Sequence, residues 1–145
     1  MPPGSFEATL LKIPSTVQER WFGRLYLLLP LAITTLCLFW IASGLIGFIR
    51  AADAQMVLTE RGFSESFAAF FVYGGSIADV ALGLFVAFRK WSRLALMGMV
   101  ALSASYLFGA SIFAPDIWLD PLGPLVKVFP TIMLATMCLA LLEER

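Results

Sequence analysis

Residues 67–93 read FAAFFVYGGSIADVALGLFVAFRKWSR, and this stretch decides the fold class. Phe67 to Phe88 holds a single charge, Asp79, and is followed by Arg89, Lys90 and Arg93 within five residues. A bilayer core about 30 Å thick needs about 20 apolar residues at 1.5 Å of rise each. An apolar run of that length stopped by a basic cluster has the form of a membrane span ending at an interface.

Working outward, Leu25 to Ile49 is uncharged and long enough to span with some tilt, with Pro30 expected in its first turns, where a lost backbone bond is easiest to tolerate. Leu94 to Ala114 is a further uncharged span. Val128 to Leu142 reaches spanning length if it begins near Leu122. The reading is an all-α integral membrane four-helix bundle over residues 25–145, with spans at 25–49, 67–88, 94–114 and 122–142. Residues 1–24 form an N-terminal cytoplasmic or interfacial segment. In that segment Ser15 or Thr16 could cap a short helix, with Glu19 in capping-box position for Thr16. Trp21 and Phe22 beside Arg20 and Arg24 look like an interfacial anchor. Arg50 to Gly62 reads as a polar connection. Its "ADA" before Gln55 resembles a signal-peptidase site, but the preceding apolar run is far longer than a signal h-region of about 7–15 residues.

Composition agrees. Of 145 residues, 60% are hydrophobic and 14% charged, against about 25% charged in a soluble domain, and the mean hydropathy is +0.88. This excludes a soluble globular enzyme and a disordered chain. Ten basic residues balance ten acidic ones, so no basic field attracts nucleic acid. There is no histidine, which removes bis-histidine haem, most zinc sites and any imidazole base; no metal site is expected. Cys37 and Cys138 stand far apart in apolar runs, without the CxxC of a thiol relay. Seven Lys and Arg (Lys12, Arg20, Arg24, Arg89, Lys90, Arg93, Arg145) fall on one side of the four spans and three (Arg50, Arg61, Lys127) on the other. The positive-inside rule then puts both termini in the cytoplasm.

Inside lipid, close packing and polar contacts hold helices together, so small residues should mark the seams. Gly75, Asp79 and Gly83 recur every four residues in the second span. Ala101, Ser105 and Gly109 do so in the third, and Ser43 and Gly47 in the first. Asp79 is the most informative residue. A carboxylate at mid-membrane costs about 2.5–3.5 kcal/mol on insertion scales, so it should face the bundle, partnered or protonated. It is either a ligand, proton or quinone contact or part of a structural polar network. Lys127 and Asp120 are candidate partners, with Tyr73 or Tyr106 as mediators. Straight helices would leave Asp79 and Lys127 about 9 Å apart along the axis. Lys127 can equally be a snorkelling interfacial lysine. Trp21, Trp91 and Trp118 fall at interfaces, while Trp40 lies inside the first span, as a packing residue or a stacking platform for a quinone ring. The prolines of Asp116 to Lys127 exclude a regular helix through that connection. Its apolar Ile117, Trp118, Leu119, Leu122 and Leu125 suggest an ordered cap over the bundle mouth.

The stretches YGGSIADVALGLFVAFRKWSR (73–93) and WLDPLGPLVKVFP (118–130), running on to the closing LEER (142–145), resemble the DoxX-like membrane proteins, most specifically in DPLGPLVK (120–127). The likeness extends from Trp21 to Arg145. It implies a four-helix protein of the bacterial cytoplasmic (inner) membrane. In that family the second span often carries Glu in the region where this chain has Asp79. Relatives include a small subunit of a thiosulfate:quinone oxidoreductase and proteins found beside or fused to short-chain dehydrogenase/epimerase-type domains. The resemblance therefore implies an accessory or anchoring subunit of a membrane redox system, with the bilayer and a dehydrogenase/epimerase-type or quinone-linked protein as partners. Quinone is the one cofactor expected, and nothing is bound covalently. The alternative is a small transporter or permeation module with a polar site at Asp79. A stand-alone membrane enzyme fits least, because the chain lacks histidine, a nucleotide loop and paired cysteines.

Overall fold

The computed structural model describes residues 17–121 and 123–143. The expected cap at Ser15 or Thr16, most of the N-terminal segment, Leu122 and Arg145 lie outside them. All regular structure among the described residues is helical. The elements are α1 (Val17–Ile49), α2 (Ala51–Thr59), α3 (Glu65–Ala87), α4 (Arg89–Phe113), a 3-10 turn (Pro115–Leu119) and α5 (Val128–Glu143). The chain forms two units, Met1–Leu31 and Ala32–Arg145. The described part of the first is the start of α1, with Trp21, Leu27 and Leu28 exposed. The second unit contains the candidate site described below.

Three helical segments, Gly23–Ile49, Glu65–Ala87 and Arg89–Phe113, are long and apolar enough to cross a membrane, and Val128–Leu142 is a shorter apolar helix. Their outward faces are greasy: Phe70 is 78% exposed, Phe108 70% and Leu38 64%. A soluble monomer rarely leaves so much contiguous apolar surface uncovered, whereas lipid covers it at no cost. The chain is therefore a membrane protein. Its interior is small, built around Leu36, Trp40, Val86, Leu96, Met99 and Cys138.

Four expectations change. Pro30 lies in the interior of α1, because the helix starts at Val17, ahead of the apolar run, through the good helix formers Gln18, Glu19 and Arg20. The connection after α1 is not irregular: Ala51–Thr59 is helical. The Arg50 guanidinium pairs with Asp53 one turn on, and Gly62 at φ +89° ends the segment in a conformation that favours glycine. The basic cluster, expected as a tight loop between the second and third spans, is helical too. Only Phe88 (φ −94°, ψ 116°) separates α3 from α4, and Arg89 already begins α4. Trp91 stacks on Phe85 across this corner at 5.9 Å.

The fourth change is the largest. α5 begins at Val128, not near Leu122. Gly123 adopts φ +53°, and the backbone then advances by three-residue bonds, Val128 to Leu125 at 3.2 Å and Phe129 to Val126 at 3.4 Å. Pro121 and Pro124 oppose a helix here, whereas Pro130, in the first turn of α5, forfeits no intrahelical bond. In the connection Leu125 is buried and Leu119 is 88% exposed, while Trp118 donates to Ser111 Oγ at 3.1 Å.

Candidate functional site

The site grows out of the seam between α3 and the second half of α1. Ser64 caps α3, its hydroxyl accepting from the Phe67 amide at 3.3 Å. Further along, α3 presents Ser76, Asp79, Val80 and Gly83, spaced to share one face. α1 answers with Gly44 and Gly47. A methyl group added to Gly44 would stand 2.6 Å from the Ser76 carbonyl oxygen, and one added to Gly83 would stand 3.0 Å from the Ile41 amide nitrogen. Backbone therefore lies against backbone, as small residues allow in lipid.

This closeness brings a hydroxyl to the carboxylate. Ser43 Oγ donates to Asp79 Oδ2 at 3.0 Å. From α4, the Tyr106 hydroxyl donates to Asp79 Oδ1 at 3.2 Å. Gly75 makes room for it, since a methyl group there would stand 2.9 Å from that hydroxyl. Asp79 is 7% exposed, with one donor on each oxygen. In a low-dielectric surround such bonds gain strength, and an unpaired carboxylate would be costly.

Beside Asp79 lies a cavity of about 140 Å³. Ser43, Asp79, Ser103 and Tyr106 form its polar side, and Phe39 and Trp40 line it from α1. Pro124, Lys127, Val128 and Thr131 line it from the start of α5. Phe39 and Lys127 are exposed, so the cavity has a mouth. Trp40 is buried, and its indole Nε1 finds no hydrogen-bond partner among the described residues. The cavity thus combines one acceptor centre, Asp79, with the Lys127 ammonium as a donor. It suits a small planar or polar group with hydrogen-bonding edges.

A second, larger space shares Tyr106 as a lining residue. It is an apolar groove of about 740 Å³ between α3 and α4, walled by Phe67, Phe70 and Phe108 and floored by Gly74, Ala78 and Gly109. Tyr106 lines both spaces. Near Arg61, which lines the groove, the Arg61 guanidinium meets the Asp116 carboxylate at 2.8 Å.

The structure gathers Asp79, Tyr106 and Lys127 around one cavity and leaves the other candidates outside it. Lys127 comes close because α5 starts after it, so a turn, not a straight helix, sets its depth. It makes no ion pair among the described residues. Tyr73 is half-exposed, with its ring 6.2 Å from that of Phe48. Asp120 is exposed in the connection. Its amide donates to the Ile117 carbonyl at 3.3 Å and its carbonyl accepts from Gly123 at 2.9 Å. Of the packing residues, Gly75 and Gly83 meet neighbouring helices. Gly109 has nothing within 4 Å of an added methyl, and Ser105 turns its hydroxyl back to Ala101 of its own helix at 2.9 Å. Those two line the groove and do not form a seam.

Sequence reasoning passed over Ser43 as a partner of Asp79, and over Ser103 and Thr131 altogether. One signal was present: Trp40, Ser43, Gly44 and Gly47 fall at positions i, i+3, i+4 and i+7, a single helix face.

No curated protein and no solved structure matches the chain. A family model does, over residues 37–136, a range that begins before Phe39 and ends beyond Thr131 and so takes in every residue named above as lining the Asp79 cavity. With more than two thirds of its length so matched, the chain belongs to the DoxX-like family.

Proposed function

We propose that this protein is a four-helix membrane subunit, both termini cytoplasmic, that holds a quinone ring beside Asp79 as an accessory or anchoring part of a redox system in the bacterial inner membrane. One observation carries the reading: Tyr106 is a wall common to a ring-sized polar cavity and a long apolar groove. A quinone is a polar ring on an apolar tail, and those two spaces match its two halves. The free lone pairs of Asp79 can accept a hydroxyl of the reduced ring. The absence of histidine and of paired cysteines from the sequence favours a redox centre contributed by a dehydrogenase-type partner. α5, about 24 Å long at 1.5 Å per residue, completes the bundle with local thinning of the bilayer.

The test uses the purified protein in nanodiscs of quinone-free lipid. Decyl-tailed ubiquinol should bind saturably, and Asp79→Asn should weaken it about tenfold, as loss of a charge-assisted hydrogen bond does. Absence of binding to the wild-type protein would overturn the quinone reading, and solute flux through the same protein in vesicles would favour permeation. Topology has its own check in intact cells. A cysteine at Lys90 should be shielded from an impermeant thiol reagent and one at Ala52 should react.

A further inference from the structure

The apolar groove between α3 and α4 has a charged end. Of the described residues around it, Arg61 is the one that carries a charge. Arg61 sits in the connection ahead of α3, and its partner Asp116 sits in the 3-10 turn just past α4. The pair therefore joins the two rims of the groove where α3 begins and α4 ends, at a membrane interface. Phe63 and Phe113 meet edge to face across the same end, with ring centroids 5.2 Å apart. The sides stand open to lipid, since the walls Phe70 and Phe108 are exposed. From Phe67 to Ala78 the groove follows α3 for about 16 Å at 1.5 Å per residue. One leaflet's share of a 30 Å hydrocarbon core is about 15 Å. The groove thus reaches from the interface to the midplane, the depth of one lipid chain. Left unfilled, it would forfeit the dispersion contacts of its lining.

The ion pair keeps bonding capacity in reserve. One terminal nitrogen of Arg61 donates to Asp116 Oδ2 at 2.8 Å and the other to the Val57 carbonyl at 2.9 Å, which leaves the Nε–H without a partner among the described residues. The Asp116 side chain is 69% exposed, and its Oδ1 accepts nothing among the described residues. A cationic donor and an anionic acceptor stand side by side at the head of a chain-deep groove. We infer that this groove is a phospholipid site selective for phosphatidylethanolamine, with one acyl chain in the groove, the phosphate on Arg61 and the ammonium on Asp116. A guanidinium suits a phosphate, and an ammonium has three N–H donors for a carboxylate. The headgroup is a zwitterion and so is the pair that meets it. Choline has no N–H to give Asp116, and the net negative charge of phosphatidylglycerol is opposed by the same carboxylate. The inference goes beyond the quinone reading: a quinone tail takes the groove by displacing this chain sideways into the bilayer.

The test uses the full chain, stripped of lipid in detergent, with no quinone present. Dioleoyl lipids that differ only in headgroup are added in turn, and native mass spectrometry counts those retained per chain. One phosphatidylethanolamine should be retained about tenfold more strongly than phosphatidylcholine or phosphatidylglycerol, the worth of a charge-assisted hydrogen bond. Asp116→Asn should erase the preference for ethanolamine over choline, and Asp116→Glu should keep it. Arg61→Gln should weaken all three lipids. Gly109→Leu places its side chain in open space on the groove floor and should also weaken all three. Equal retention of the three lipids by the wild-type protein, or stronger retention of phosphatidylglycerol, would overturn the inference. So would a preference that survives Asp116→Asn, or retention of phosphatidylethanolamine unchanged in Gly109→Leu, which would put the lipid elsewhere. The headgroup series is read on the wild-type protein and decides the matter even if a variant folds poorly. With no quinone in the sample, failure here leaves the quinone reading standing, and failure of decyl-ubiquinol to bind leaves this inference standing.

Discussion

Two stripes of small residues in this molecule have the same spacing and opposite fates. On α3, Gly75, Asp79 and Gly83 face neighbours closely enough that added methyl groups would collide with Tyr106 on one side and with Ile41 and Cys37 on the other. On α4, Ala101, Ser105 and Gly109 leave open space: Ala101 and Ser105 are exposed and Gly109 touches nothing. Small residues permit close approach, but they do not compel it. The stripe that became a seam has a carboxylate in the middle, with hydroxyls from two other helices to satisfy it. The stripe without a buried polar group became the floor of a groove.

The sharpest way to break this contrast is to fill both stripes. Gly83→Leu drives a side chain into α1 backbone, which cannot yield as a flexible side chain would. It should cost more than the ~1–3 kcal/mol of ordinary overpacking, seen as loss of the folded protein in detergent unfolding or thermal aggregation assays. Gly109→Leu should stay within about 0.5 kcal/mol of wild type, as substitutions away from packed features do. Equal damage from the two would end the distinction.

Next in size is the carboxylate itself. Asp79→Leu removes the acceptor for Ser43 and Tyr106 and leaves two membrane-embedded hydroxyls bare, at about 1–3 kcal/mol for each one that stays dry. Asp79→Asn keeps an acceptor and should fold. If Asp79→Leu unfolds like the wild type, the seam owes its stability to the glycines alone. Tyr106→Phe should be milder. Interhelical hydrogen bonds in membranes average about 0.6 kcal/mol, and the ring that lines both cavity and groove is retained. A loss above about 2 kcal/mol in the same assay would mean Tyr106 carries more than this one bond.

The spans of α3 and α4 were legible because uninterrupted apolar runs of that length have few other uses. Asp79 was legible for the complementary reason: its cost inside lipid demands a partner. The identity of that partner was not legible. Helices apolar on every side carry little amphipathic signal to say which face meets which neighbour, so Ser43 registered only as a small residue and Trp40 as a packing residue or a stacking platform. The start of α5 was misread because an apolar connection and an apolar helix look alike in composition. The backbone of Gly123, at φ +53°, is what divides them.

That division yields the smallest and most discriminating expectation. Asp120 and Lys127 fall within DPLGPLVK, and proximity in sequence suggests a pair capping the site. In the fold they part: Lys127 lines the cavity and Asp120 stands exposed in the turn before it. Lys127→Gln keeps the length of the stem and removes the charge. It should weaken binding of decyl-ubiquinol by about three- to tenfold, the range for a hydrogen bond to a partly solvated group, with little effect on unfolding. Asp120→Asn should leave binding unchanged. The double variant should then equal the sum of the singles in free energy, because only Lys127 lines the cavity. A coupling above about 0.5 kcal/mol would join the two residues after all, and would return the connection from a turn that positions one lysine to a cap that works as a unit.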